Sequence, residues 1–152
     1  MVTATEVKAQ ATGNVAPERL REIEDIHHRW NEALQRKDAD AAAVLYAPDT
    51  VLESPLVRHV LKSEEGIIRG REELREFVRE IFTRTPASRQ IYRTAFFTDG
   101  ETVLWEYPRQ TSNGEQMDFV EVMQIRGGLI ARHHVYWGWY GVKILEENRY
   151  WR

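Results

Sequence analysis

The spacing of apolar residues changes once along this chain, from helical in the first half to alternating in the second. From Glu18 onward, Leu20, Ile23, His27, Trp30 and Leu34 recur at i, i+3 and i+4, with Ile26 and Ala33 widening the stripe. Lys37, near the end of this helix, suits the negative end of its dipole. Asp38 then has the character of an N-cap for a short second helix over 39–46, stopped by Pro48. Residues 50–54 (TVLES) read as a strand ended by Pro55, and 56–70 as a short strand plus a loop. In a third helix, Leu74, Phe77, Val78, Ile81 and Phe82 share one face. Arg71, Glu72, Arg75, Glu76, Arg79 and Glu80 mostly face solvent, and Thr85-Pro86 ends it.

Four β-rich runs follow, over 89–98, 101–110, Gln116–Arg126 and 129–139. Asp99-Gly100, Asn113-Gly114 and Gly127-Gly128 separate them, each a hairpin signal. Helices followed by an antiparallel meander predict an α+β domain, three helices covering one face of the sheet. The expected limits are a flexible arm over 1–17, the domain over 18–140, and a tail over 141–152 that packs on the sheet or on a partner.

Composition narrows the function classes. A net charge of −3 with interspersed signs lacks the basic stripe that nucleic acid requires. No apolar run approaches the roughly 18 residues of a membrane span, and 1–17 has no apolar segment of a secretory signal. Without cysteine there is no disulfide, thiol catalysis or Cys-ligated zinc, which fits a reducing, cytoplasmic setting. No Gly-rich phosphate loop is present, and Ser54, Ser63, Ser88 and Ser112 lack a nucleophile-elbow context. No cofactor or metal is expected. His133 and His134 face opposite ways on a strand, and His27 and His28 lie about 100° apart on a helix, so neither pair suits one ion.

Strand parity supplies the candidate chemistry. In Gln116–Arg126, one face carries Met117, Phe119, Glu121, Met123 and Ile125, the other Asp118, Val120, Val122 and Gln124. The first set is more apolar and is assigned to the core, with Glu121 at its centre. A carboxylate there loses hydration, and its pKa rises unless a partner compensates. Glu121 is either a structural group satisfied by a neighbour or a functional acid. A two-residue Gly127-Gly128 turn sets it opposite His134; a three-residue turn from Arg126 sets it opposite His133. Leu129, Ala131, His133, Val135 and Trp137 form the more apolar set of the last strand, so the three-residue turn is preferred, with His133 inward. A Glu121–His133 pair is a credible acid/base device, or a buried pair that merely satisfies itself. In 101–110, Val103, Trp105, Tyr107 and Arg109 are assigned inward, Glu106 is the alternative inward acid, and Pro108 belongs at an edge or bulge.

The stretch Arg29-Trp30-Asn31-Glu32-Ala33-Leu34, with Asp38, Leu45-Tyr46-Ala47-Pro48-Asp49 and Glu53-Ser54-Pro55, resembles the opening of SnoaL-like and ketosteroid-isomerase-like domains of the nuclear transport factor 2-like superfamily. Gly70, Leu74 and Phe77 resemble their third helix. Glu121 to Ile125, Gly128-Leu129-Ile130 and Val135-Tyr136-Trp137 resemble their closing hairpin. The resemblance implies a cone-shaped half-barrel around an apolar pocket. It places the isomerases' protonated acid at Glu121, their proton-shuttling Asp at Ser54 and their oxyanion tyrosine at Trp30. The Asp of the epoxide hydrolases falls at Val135. Only Glu121 keeps a matching group, so those constellations are incomplete.

Two readings remain. One is an isomerase-, cyclase- or dehydratase-type enzyme using His133 and Glu121 on a small apolar carbonyl-containing or polyketide-like molecule. The other is a non-catalytic ligand-binding or dimerisation module. In both, Trp30, Ser54, Phe77, Trp105, Tyr107, Phe119, Met123, Val135 and Trp137 are the candidate ligand-binding residues. A homodimer through Val120, Val122, Ile130 and Tyr136 on the outer sheet face is the expected assembly.

Overall fold

The computed structural model describes residues 9–85, 90–91, 95–111 and 113–151. Expectations that touch 1–8, Pro86, Ser88, Arg89, 92–94, Ser112 and Arg152 fall outside these. Helix α1, Pro17–Arg36, begins on a proline, whose missing N–H costs nothing at a helix start. It turns off at Lys37 in the left-handed conformation (φ 54°), and Asp38 caps the short α2, Ala39–Ala43, by accepting from the Ala41 N–H. The second helix was expected to reach residue 46. Instead strand β2, Tyr46–Glu53, starts there. Its pairing is interrupted between Tyr46 and Val51, and Pro48 lies in that gap, where no ladder hydrogen bond is needed.

The stretch expected to be a strand and loop holds a fourth helix. Ser54 caps α3, Pro55–Leu61, by accepting from the Leu56 N–H, and Pro55 occupies its first turn. Lys62 ends it in the left-handed conformation, and β3, Ile67–Arg69, returns antiparallel to β2. Helix α4, Arg71–Arg84, buries Leu74 and Phe77.

Within the expected run over 89–98 the described residues form β4 (Gln90–Ile91) and β5 (Phe96–Thr98), both antiparallel to β6, Thr102–Gln110. Strands β6, β7 (Gln116–Arg126) and β8 (Leu129–Trp137) form the meander. With β1 spanning Ala9–Ala11, the sheet is not closed and runs β1-β5-β6-β7-β8-β2-β3. It is mostly antiparallel, with parallel pairings of β2 on β8 and of β1 on β5. Strand β1 lies within the stretch 1–17 expected to be a flexible arm; its pairing with β5 and the Ala9 N–H bond to Glu24 tie residues 9–11 to the domain.

The β7–β8 turn corrects the expected register. Arg126 pairs with Leu129, so the turn has two residues rather than three, both glycines with positive φ (57° and 74°). A bulge then inserts Ala131, because Ile125 faces Ile130 while Gln124 faces Arg132. The extra residue restores the parity that the longer turn was expected to set. His133 is therefore inward, but it stands opposite Met123, and Glu121 stands opposite Val135. The two-residue turn itself sets Ile130 inward, opposite Ile125, where it is fully buried. The outer apolar set consequently loses Ile130, keeping partly covered Val120 and Val122 with exposed Tyr136 and Leu104.

The inner face packs on α1 and α4 through Ile23, Ile26, Trp30, Leu74 and Phe77. Helix α5, Trp139–Glu146, closes the far end and buries Ile144 and Leu145. Gly141 lets this helix approach the sheet: a Cβ there would lie 3.3 Å from the Trp137 ring and 3.5 Å from Met117. Tyr150 follows α5 into the core, packing on Trp137 at 5.2 Å between ring centroids. No helix among the described residues is long and apolar enough to cross a membrane. Because α5 is part of the core, Ile144→Ala should cost about 2–5 kcal/mol, the range for truncating a buried isoleucine. Urea unfolding followed by tryptophan fluorescence measures this, and a loss below about 0.5 kcal/mol would show that α5 is not anchored there.

Candidate functional site

Parity on four strands and one helix brings a polar chain into the apolar interior. The Trp30 indole N–H on α1 donates to the Tyr46 hydroxyl (3.0 Å), which lies 2.8 Å from His133 Nδ1. His133 Nε2 lies 2.7 Å from Glu121 Oε2, and the Tyr107 hydroxyl donates to Glu121 Oε1. The Tyr46 oxygen accepts from Trp30, so its own proton is directed at His133 Nδ1. That pattern assigns the imidazole proton to Nε2, where it donates to Glu121. Burial, and then the negative charge of Glu121, push the Tyr46 phenol well above the usual tyrosine range, although the Trp30 bond works the other way. Tyr46 thus stays protonated as a donor.

Glu121 and His133 are respectively 4% and 3% exposed. Each nitrogen of the imidazole and each oxygen of the carboxylate is engaged within the protein. Trp30 packs edge-on to both Trp105 (5.4 Å) and His133 (5.7 Å), and Tyr107 stacks on Phe119 (5.3 Å). Of the expected ligand-binding residues, Trp30, Phe77, Trp105, Tyr107, Phe119 and Met123 therefore sit in the packed core around this pair. Arg109 is inward as expected, over the Phe119 ring at 5.1 Å and donating to the Tyr150 hydroxyl. Burial opposes its charge, but Tyr150, Tyr107 and Glu121 outweigh this and hold the guanidinium more firmly protonated. Glu106 and Asp118 are exposed on the outer face and do not reach the pair.

Ser54, Val135 and Trp137, the other expected binding residues, line a different space. Strand β2 stays paired with β8 only as far as Glu53 beside His134, because Ser54-Pro55 turns the chain into α3. Val135, Tyr136 and Trp137 continue past that point, and the opening they leave is walled by α3 and α5. The resulting cleft has a volume of about 430 Å³. Gly66 (φ 68°) seals one corner, its carbonyl accepting from the Ser54 N–H at 3.0 Å.

The cleft also holds Arg58 and His59, which were not singled out in the sequence, together with Glu53 and with His134, the alternative partner considered for Glu121. His134 Nε2 is 3.6 Å from Glu53 Oε1, within ion-pair range but too long for a direct hydrogen bond. Its ring stacks on Tyr136 at 3.9 Å, and Nδ1 has no hydrogen-bond partner among the described residues. The Trp137 indole N–H is likewise buried without one. No cluster of three potential metal ligands occurs among the described residues. Burial lowers the His134 pKa from its ordinary 6.5, aided by Arg132 and His133 and opposed by Glu53. His59 is lowered too, by burial and then Lys62 and Arg84, against a hydrogen bond to Asn148.

An open α+β half-barrel with helices packed on its inner face defines the nuclear transport factor 2-like class. The SnoaL-like domain family matches residues 27–133, and the chain belongs to that family. Among solved structures it is similar to a nuclear transport factor 2-like protein of unknown function from Mesorhizobium loti, at 18% identity and TM-score 0.66 over 87% of this chain and 99% of that one. A SnoaL-like protein of unknown function from Burkholderia thailandensis is 18% identical with TM-score 0.64, over 78% and 95%. The epoxide hydrolase/cyclase-like enzyme SalBIII, of pyran ring formation in the polyether salinomycin, is 18% identical with TM-score 0.60, over 79% and 93%. No curated protein matches the chain.

Glu121→Leu should destabilise the fold by about 3–5 kcal/mol, because it strands His133 and the Tyr107 hydroxyl in the core. Tyr46→Phe should combine with it non-additively in urea titrations; simple additivity would mean that the two do not share a network. Acid should also act through the cleft histidines. Both have lowered folded-state pKa values, so the fold binds fewer protons than the unfolded chain. Their contribution is full above the ordinary value of 6.5 and is lost as pH falls below it. Glu53→Gln removes a charge that opposes the shift, so NMR titration of this variant should show His134 protonating at still lower pH. An unchanged or higher midpoint would contradict the pairing.

Proposed function

We propose that this SnoaL-like domain binds a small, largely apolar molecule in the cleft between α3, α5 and the end of β8. The observation that carries this reading is the contrast between two sites. The Glu121–His133 pair is closed and hydrogen-bonded at every nitrogen and carboxylate oxygen, whereas the cleft is open. Its volume of about 430 Å³ falls in the range of small-molecule sites, and its floor combines Val135, Trp137, Val142 and Leu145 with a few polar groups. The ligand class is the small carbonyl-containing or polyketide-like molecule expected from the sequence. That a relative of this fold is described as an epoxide hydrolase/cyclase-like enzyme supports small-molecule work on this scaffold.

Proton transfer by Glu121 and His133 is the second reading, and one observation favours it. Val135, which lines the cleft, is the cross-strand partner of Glu121, so the pair lies directly behind the cleft wall. In that reading a ligand displaces Tyr46 from His133 Nδ1, and the freed nitrogen serves as the base.

An apolar fragment panel followed by amide NMR distinguishes the two. Binding in the cleft should shift Gly66, Val135, Val142 and the Trp137 indole, and Val135→Trp should weaken it at least about tenfold by filling the space. Shifts confined to Tyr46, Tyr107 and Glu121 would move the ligand to the interior pair, and no shift anywhere would remove the binding reading.

A further inference from the structure

We propose that Glu53 and His134 together form a hydroxyl-recognition site on the wall of the cleft, so that the ligand is a small apolar molecule bearing an alcohol or phenol O–H. The proposal rests on the reading of the cleft as the binding site. It begins with the contrast between adjacent histidines. His133 has both ring nitrogens hydrogen-bonded, but His134 has neither. The two differ because β8 alternates its side chains. His133 enters the core beside Leu52, and His134 leaves it beside Glu53, in register across the parallel β2–β8 pairing.

That register sets a carboxylate and an imidazole side by side. Their side chains are 38% and 19% exposed, so ligand atoms can reach both. The 3.6 Å gap between Glu53 Oε1 and His134 Nε2 is too long for a direct bond. The two groups therefore do not satisfy each other, and both are left to bond a third. Burial keeps His134 neutral, and the adjacent carboxylate favours the tautomer with its proton on Nε2. The pair then offers one donor, Nε2–H, and one charged acceptor, the Glu53 carboxylate. A hydroxyl oxygen is the single atom that complements both, accepting from Nε2–H while donating to Glu53. An ether or ketone oxygen can only accept, and an ammonium group can only donate.

The surroundings select the rest of the molecule. Tyr136 stacked on the imidazole fixes the ring plane, and the floor beside it is apolar. Arg58 and His59 line the cleft together with Glu53 and Glu65, so it holds both signs of charge and does not specify an ionic ligand.

The test compares 2-naphthol with 2-methoxynaphthalene, which share an apolar body and differ in the O–H. Each is titrated by amide NMR into the wild-type chain and the variants His134→Phe and Glu53→Leu. The wild type should bind the naphthol about tenfold more tightly, the ratio one hydrogen bond to a charged group supports. Either variant should abolish that preference while keeping its affinity for the ether, which also shows that the cleft is still formed. Equal binding of both compounds by the wild type, with shifts in the cleft, would overturn the hydroxyl site and leave the cleft reading standing. So would a preference that survives in both variants. Binding of neither compound would overturn the cleft reading along with it.

Discussion

The register of β8 is the constraint on which the rest of this protein depends. A tight glycine turn alone would put His133 on the outer face and His134 in the core. The inserted Ala131 reverses that assignment. It leaves Ile130 where the turn sets it, inward opposite Ile125, but seats His133 within 2.7 Å of Glu121 and leaves His134 beside Glu53 on the other side. One unpaired residue thereby decides which histidine joins a closed network and which borders a cleft.

The interior network shows how a polar chain is tolerated in an apolar core. Every link has a partner of the right kind: indole to phenol, phenol to imidazole, imidazole to carboxylate, and a second phenol to the same carboxylate. Satisfied in this way, buried polar groups cost little and fix a single packing, whereas removing one member leaves the others exposed to an apolar surrounding. The positions that the family resemblance marks for chemistry are divided accordingly. Glu121 belongs to the closed network, Trp30 anchors its far end, and Ser54 and Val135 face the cleft.

Much of this was legible in the sequence because it rests on period. Alternation in β6, β7 and β8 placed Trp105, Tyr107, Phe119, Glu121 and His133 on one face, and helical spacing found α1 and α4. What escaped depends on contacts between distant segments. Tyr46 reads as the end of a helix and becomes the start of a strand because β8 pairs with it, so its bond to His133 could not be foreseen. Glu53 and His134 meet only through that same parallel pairing. The bulge at Ala131 has no local signature and shows itself only in the pairing of both strands. Helix α3, by contrast, had a signal: Ser54-Pro55 is a capping residue followed by a favoured first-turn residue, ahead of Leu56 and Val57. The assignment of Pro55 as a strand terminator obscured it.

The cleft exists because two neighbouring strands end at different places. Its length along the sheet is the distance by which β8 outruns β2, and that distance is set by where Ser54-Pro55 diverts the chain. The void is therefore a property of backbone topology more than of side-chain size. Side-chain changes at Val135 or Trp137 alter its contour, while the diversion point sets its extent. Sliding that diversion along the chain would lengthen or erase the chamber, and because Leu56 and Val57 just beyond it are buried in the core, chamber length and core packing are set by the same short segment.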